Sequence, residues 1–139
     1  MIRLNEKGII LAVESIIKIL FIAAGGAAGA VARYLVNASP LTNVFDKFPL
    51  PTYLINVIGS FLIGFLMIVF ADKLVISENL RMAVIVGFLG AFTTFSTFEA
   101  EIFGLVRERQ VLIAFAYFSL SILTGFAGVI AGVALGRRI

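Results

Sequence analysis

Gly87-Phe88-Leu89-Gly90-Ala91-Phe92-Thr93-Thr94-Phe95-Ser96-Thr97-Phe98-Glu99-Ala100-Glu101 is the stretch on which the reading of this chain turns. It lies inside an apolar segment, about residues 79–106, that is long enough to cross a bilayer core of ~30 Å, for which roughly 20 residues suffice. Yet Thr93, Thr94, Ser96 and Thr97 fall near its middle. Polar side chains at that depth are costly and mark sites by default. Three β-branched threonines and a serine, preceded by Gly87 and Gly90, weaken a helix and offer hydroxyls to the backbone groups released from it. Freed backbone at membrane depth is tolerated only where protein or a polar cavity satisfies it. Broken membrane helices aim carbonyls at cations and amides at anions. The expectation is a third helix broken near the midplane, at about residues 91–97. The alternative is an unbroken helix whose hydroxyls bond back to the preceding turn.

Working outward, the chain has room for little else than membrane helices. Of 139 residues, 61% are hydrophobic and 14% charged, against roughly 45–50% and about 25% in soluble domains. Three more apolar segments, about 16–36, 52–71 and 111–136, complete an all-α integral membrane unit of four transmembrane helices, read as one domain over residues 1–139. All three prolines, with Asp46 and Lys47, sit in the loop 37–51 that separates the first two spans. Polar turns at 72–78 and 107–110 separate the others, and Arg137 and Arg138 anchor the last span in headgroups. Before the first span, Arg3, Glu6, Lys7 and Glu14 interrupt the apolar residues, which reads as an amphipathic lead-in at the interface. A cleavable signal with Ala23, Ala24 and Gly25 at its cleavage site competes, but Glu14 and Lys18 break the apolar core it needs. Small residues recur at helix-packing spacing: Gly25 and Gly29, Ser60 and Gly64, then Gly128, Gly132 and Gly136.

Composition also removes whole classes of chemistry. With no cysteine and no histidine, thiolate chemistry, disulfides and the commonest transition-metal ligands are gone. The net charge of +3 is scattered at helix ends, so no basic face for nucleic acid exists. No base and nucleophile stand at recognisable spacing, and the chain is read as a non-enzyme. Four spans put Arg3, Lys7, Lys18, Lys73, Arg81, Arg137 and Arg138 on one side, and Arg33, Lys47, Arg107 and Arg109 on the other. The positive-inside rule then places both termini in the cytoplasm, but a seven-to-four bias is weak enough to permit insertion in both orientations.

The remaining candidates are the polar and aromatic residues of the spans. Phe95 and Phe98 share a face if helix resumes after the break, and ring edges carry partial positive charge that attracts a dehydrated anion; two phenylalanines at this spacing are otherwise core. Asn56 heads a small polar stripe with Ser60 and Gly64. Its amide can donate to an anion or make an interhelical hydrogen bond. Tyr117, Ser121 and Thr124 form a hydroxyl stripe on the fourth span. Arg33, near the end of the first, either snorkels to headgroups or draws anions toward a pore mouth. Of Glu99 and Glu101, one is expected to pair with an arginine or to line a wet vestibule.

Three motifs together resemble a known family, the microbial fluoride channels called Fluc or CrcB proteins. They are Gly25-Gly26-Ala27-Ala28-Gly29-Ala30-Val31-Ala32-Arg33-Tyr34, Asn56-Val57-Ile58-Gly59-Ser60-Phe61-Leu62-Ile63-Gly64, and Gly87-Phe88-Leu89-Gly90 running into Thr93-Thr94-Phe95-Ser96-Thr97-Phe98. The resemblance covers all four spans in order. It implies an antiparallel, dual-topology homodimer in the inner (plasma) membrane, with two pores that carry fluoride passively out of the cytoplasm. It further implies that Phe95 and Phe98 face the pore, that Asn56 lines it, and that Glu101, Tyr117 and Ser121 belong to a polar track along it. Arg33 would sit at the vestibule, Thr94, Ser96 and Thr97 would support the break, and the backbone carbonyls of Gly90 and Thr93 would hold a structural sodium ion on the dimer axis. The sequence departs from the resemblance at Gly125, where the family often has a hydroxyl; Thr124 next to it points about 100° aside.

Two other functions fit the length. A proton-coupled drug exporter of four helices needs a carboxylate deep in its first span, and Glu14 falls before that span; cation-driven transport through Glu101 is the version left open. A membrane enzyme or structural subunit fits worse, because catalysis would fall to Glu99, Glu101 or hydroxyls, and a structural subunit does not need polar residues at mid-depth in three spans.

Overall fold

A computed structural model describes residues 6–139, and Arg3 of the lead-in lies outside them. Helix α1 is Glu6–Asn37, α2 is Leu50–Ile68 with a π-helical extension Val69–Lys73, and α6 is Val111–Arg138. Between them the third apolar segment is built in pieces: α3 Glu78–Met82, a π-helical run Ala83–Leu89, α4 Gly90–Phe92 and α5 Phe95–Arg107. Four helical segments are therefore long and apolar enough to cross a membrane.

The expected lead-in is no separate element. From Glu6 the chain runs as one helix of 32 residues, roughly 48 Å at 1.5 Å per residue, because no proline interrupts it. Lys18 Nζ pairs with Glu78 Oε1 at 2.6 Å on the first turn of α3, so the part of α1 before Lys18 projects past the start of the third segment. Residues 9–17 are all exposed. The ends of the other helices follow local chemistry. Pro51 occupies the first turn of α2, where its missing N–H is harmless. Ser77 caps α3 by accepting from Leu80 N–H at 3.3 Å. The turn after α5 closes with Arg109 at φ 61° and Gln110 N–H on the Leu105 carbonyl at 2.8 Å.

Glycine sets how the helices meet. A Cβ at Gly25 would run into the backbone of Ala83, and one at Gly29 into that of Phe88, so α1 lies backbone to backbone on the π-helical run. On the opposite side α2 and α6 do the same: Gly64 abuts Val129, and Gly132 abuts Phe61. Lipid offers no hydrophobic drive to associate, and close packing of small residues replaces it. Large apolar side chains accordingly face outward, among them Leu123, Phe126 and Tyr34, each more than two-thirds exposed. A smaller core of Phe98, Leu105, Ala114 and Tyr117 joins α5 to α6, with Phe48 and Tyr53 packed on it.

Candidate functional site

Helical geometry stops at Phe92. Thr93 (φ −74°, ψ 156°) and Thr94 (φ −151°, ψ 118°) are extended, and α5 begins at Phe95. The non-helical stretch is thus two residues, while Phe95, Ser96 and Thr97 already form the first turn of α5. In a continuous helix the Thr94 N–H would donate to the Gly90 carbonyl and the Thr97 N–H to that of Thr93. Here Thr94 N–H donates to Asn56 Oδ1 at 2.9 Å, and Thr97 N–H to Thr94 Oγ1 at 3.3 Å. Side chains have taken both donors, and the Gly90 and Thr93 carbonyls are released from them.

Asn56 completes the substitution, since its Nδ2 donates to the Thr94 carbonyl at 3.1 Å. The side-chain amide of α2 thereby pairs with Thr94 as a neighbouring peptide unit would. This is the interhelical bond that the sequence left open, and it uses one of the two amide hydrogens. Thr94 Oγ1 also donates to Thr97 Oγ1 at 3.0 Å. Thr93 shows the back-bonding alternative locally: its N–H and its hydroxyl both reach the Leu89 carbonyl, at 3.0 and 2.8 Å. Gly59 makes room for it, because a Cβ there would overlap the Thr93 methyl. Ser96 is exposed and takes no part in these bonds.

Beside the interruption runs an open groove of about 550 Å3, walled by α2, the third segment and α6. Asn56, Gly90, Thr93, Phe95, Phe98 and Ser121 all line it. Phe98 is buried while Phe95 is 67% exposed, and their ring centres lie 6.0 Å apart at a tilt of 39°. Phe98 stacks on Phe118 at 6.3 Å and meets Tyr117 edge-on at 5.0 Å, so its ring is clamped rather than free to turn. Ser121 Oγ is buried without a hydrogen-bond partner.

Beyond Phe98, Glu101 accepts from the Thr52 hydroxyl at 2.8 Å and from the Tyr117 hydroxyl at 2.7 Å. Tyr117 and Thr52 are almost wholly buried. On its other side Glu101 borders a recess of about 230 Å3 under the loop, with Asn37, Asp46, Lys47 and Pro49. Of the two carboxylates, Glu101 is the one that borders a recess. Among the described residues no arginine pairs with it or with Glu99; Arg107 instead lies over the Phe103 ring at 6.0 Å.

The structure thus brings most of the singled-out residues to one line, from Glu101 and Tyr117 past Phe98 to Ser121 and Asn56. Arg33 stands half-buried on the last turns of α1, outside both cavities. Thr124 bonds back to the Leu120 carbonyl at 2.6 Å, while Gly125 lines the groove. Sequence reasoning missed Thr52 and Gly59. Thr52 looked like a helix start behind Pro51, and only its pairing across space with a carboxylate gives it a role.

A family model described as "CrcB-like protein, Camphor Resistance (CrcB)" matches residues 20–133. The chain belongs to the CrcB family. It is similar to proteins named "Fluoride-specific ion channel FluC": 42% identical to that of Hahella chejuensis over 90% of this chain and 98% of the relative. The FluC of Solibacter usitatus is 41% identical over 87% and 99%, and that of Maridesulfovibrio salexigens 38% over 88% and 97%. The CrcB family is one of ion channels, not enzymes, and this chain, with four helices able to cross a membrane, is a multi-pass membrane protein.

Proposed function

We propose that this chain is a passive, fluoride-selective channel of the inner (plasma) membrane that exports cytoplasmic fluoride, working as an antiparallel homodimer with two pores. The observation that carries the reading is the groove in which Asn56, the Phe98 ring and the unpartnered hydroxyl of Ser121 converge beside released backbone. A small bare anion has lost strong hydration and needs hydroxyl and amide donors and positive ring edges in its place. No energy coupling is required: a negative interior drives an anion outward by about 2.3 kcal/mol per 100 mV.

One subunit leaves the groove open, with Phe95 and Phe126 exposed at its mouth. Exposed polar backbone is not tolerated against lipid, and a second copy is the cover that this reading supplies. Gly90 and Thr93 fit the structural sodium ion, since each carbonyl has lost its helical donor and Gly90 lies exposed. Two subunits would offer four carbonyl oxygens, a hard set suited to an alkali cation. Bound there, the ion would neutralise the carbonyl dipoles at the interruption. Thr94 and Thr97 keep the backbone extended, Glu101 with Thr52 and Tyr117 carries the polar track toward the loop recess, and Arg33, outside both cavities of one subunit, would supply positive charge at the vestibule.

The deciding experiment is ion efflux from liposomes holding only the purified protein. Fluoride should leave rapidly, unaffected by a pH gradient, while chloride is retained. Chloride flux equal to fluoride at the same driving force would overturn the assignment.

A further inference from the structure

Serine and threonine hydroxyls inside helices commonly bond back to the carbonyl four residues earlier. In this protein Ser15, Thr93 and Thr124 do so, at 2.8, 2.8 and 2.6 Å. Two hydroxyls bordering the groove do not. Ser121 Oγ on α6 is buried and unpartnered, and Ser60, one turn past Asn56 on α2, makes no side-chain hydrogen bond among the described residues.

Their surroundings show why Ser60 is reachable from the groove. It faces α6 at Gly125, one turn past Ser121, and its Oγ lies 3.4 Å from where a Cβ on Gly125 would stand. A side chain at 125 would therefore press against that hydroxyl and cover it. With glycine there, Ser60 opens onto the same groove as Ser121. Thr124, the nearest hydroxyl on α6, is directed to its own helix.

We propose that Ser60 is a further binding residue for the conducted anion: its hydroxyl donates from α2, across the gap left by Gly125, and extends the line of donors one turn beyond Asn56 and Ser121. The inference rests on the fluoride-channel reading. A hydroxyl supplies one O–H donor, and a donor to an ion makes a stronger bond than one to a neutral group. The ligand class is a small halide stripped of water, for which two hydroxyls from facing helices replace part of the hydration shell.

The same geometry supplies the test, because the hydroxyl can be moved from one helix to the other. Ser60→Ala removes the donor and also clears the space that a side chain at 125 needs; adding Gly125→Ser returns a hydroxyl to the gap. In proteoliposome efflux Ser60→Ala is expected to lower fluoride flux roughly tenfold, the size expected for a lost hydrogen bond to a charge. The Ser60→Ala/Gly125→Ser double variant is expected to recover to within about threefold of wild type. If Ser60→Ala does not assemble as wild type does on size exclusion, Ser60→Cys, similar in shape with a weak donor, takes its place as the single variant with the same loss expected, and wild-type flux from it overturns the inference.

Wild-type flux from Ser60→Ala overturns the inference. So does a loss that the double variant fails to recover, since a packing defect would behave that way. Both leave the channel assignment intact, whereas a wild-type protein that does not pass fluoride defeats that assignment itself.

Discussion

The third apolar segment is fastened in two different ways along its length. Its first half, through the π-helical run Ala83–Leu89, lies on α1 backbone to backbone, with Gly25 against Ala83 and Gly29 against Phe88. Its second half is held by side chains: Asn56 on Thr94, Thr52 and Tyr117 on Glu101, and Phe98 among Tyr117 and Phe118. Backbone packing tolerates no added atom but asks for no particular chemistry. Side-chain fastening admits changes of shape but leaves polar groups stranded when one partner goes. On the proposed reading, the donors and ring edges that a conducted anion would need lie in the second half.

The sharpest way to break the contrast is to put a side chain into the first half. Gly29→Val drives its Cβ into the Phe88 backbone, and with backbone on both sides neither partner can turn away. The expected cost is about 3 kcal/mol or more, seen as loss of the monodisperse species on size exclusion in detergent. Normal assembly would show that the two helices part without penalty.

In the second half, Asn56→Ala leaves the Thr94 N–H and carbonyl unpaired. An unsatisfied buried group costs roughly 1–3 kcal/mol, so a drop of about 2–4 kcal/mol in unfolding free energy is expected, together with collapse of fluoride flux. Asn56→Asp keeps the acceptor for Thr94 N–H but removes the donor. It also sets a carboxylate oxygen against the Thr94 carbonyl with no cationic side chain beside it among the described residues, so it should be no more stable than Asn56→Ala and conduct no better. Unchanged thermal stability in both variants would mean that Thr94 finds other partners.

Much of the backbone-to-backbone packing is legible in the sequence. Small residues at intervals of four predicted which faces meet, and the structure seats Gly25, Gly29, Gly64 and Gly132 at those contacts. Four apolar helices followed from composition and length. What periodicity could not give was partnership across distance. Thr52 and Glu101 are 49 residues apart and Asn56 and Thr94 are 38 apart, and nothing local ties one to the other. Local propensity also overstated the non-helical stretch: after an N-cap threonine, Phe95, Ser96 and Thr97 take helical geometry readily, because Thr94 Oγ1 satisfies the Thr97 N–H, one of the free donors of the first turn. The lead-in is continuous with α1, since charged residues within a helix alter where it lies rather than whether it forms.

Phe98→Ile and Phe95→Ile sharpen the comparison by separating shape from ring chemistry. Each keeps an apolar side chain but removes the ring quadrupole, worth about 0.5–1.5 kcal/mol, so fluoride flux should fall up to roughly tenfold. Assembly should persist, more securely for exposed Phe95 than for buried Phe98. Wild-type flux from folded variants of both would reduce the rings to packing. The smallest effect is expected outside either half. Arg109 holds φ 61° in the turn after α5, a conformation that favours glycine. Arg109→Gly should stabilise by up to about 1 kcal/mol in thermal unfolding, with flux unchanged.

Asn56 has one more consequence, for the order in which the protein is made. It lies 38 residues upstream of Thr94, so the amide that stands in for the missing peptide partner leaves the ribosome before the residue it serves. When Thr94 emerges, the second span can already be in place to receive it. The partner of the interruption is thus made before the interruption itself, an order that would be reversed if the two segments were exchanged in the gene.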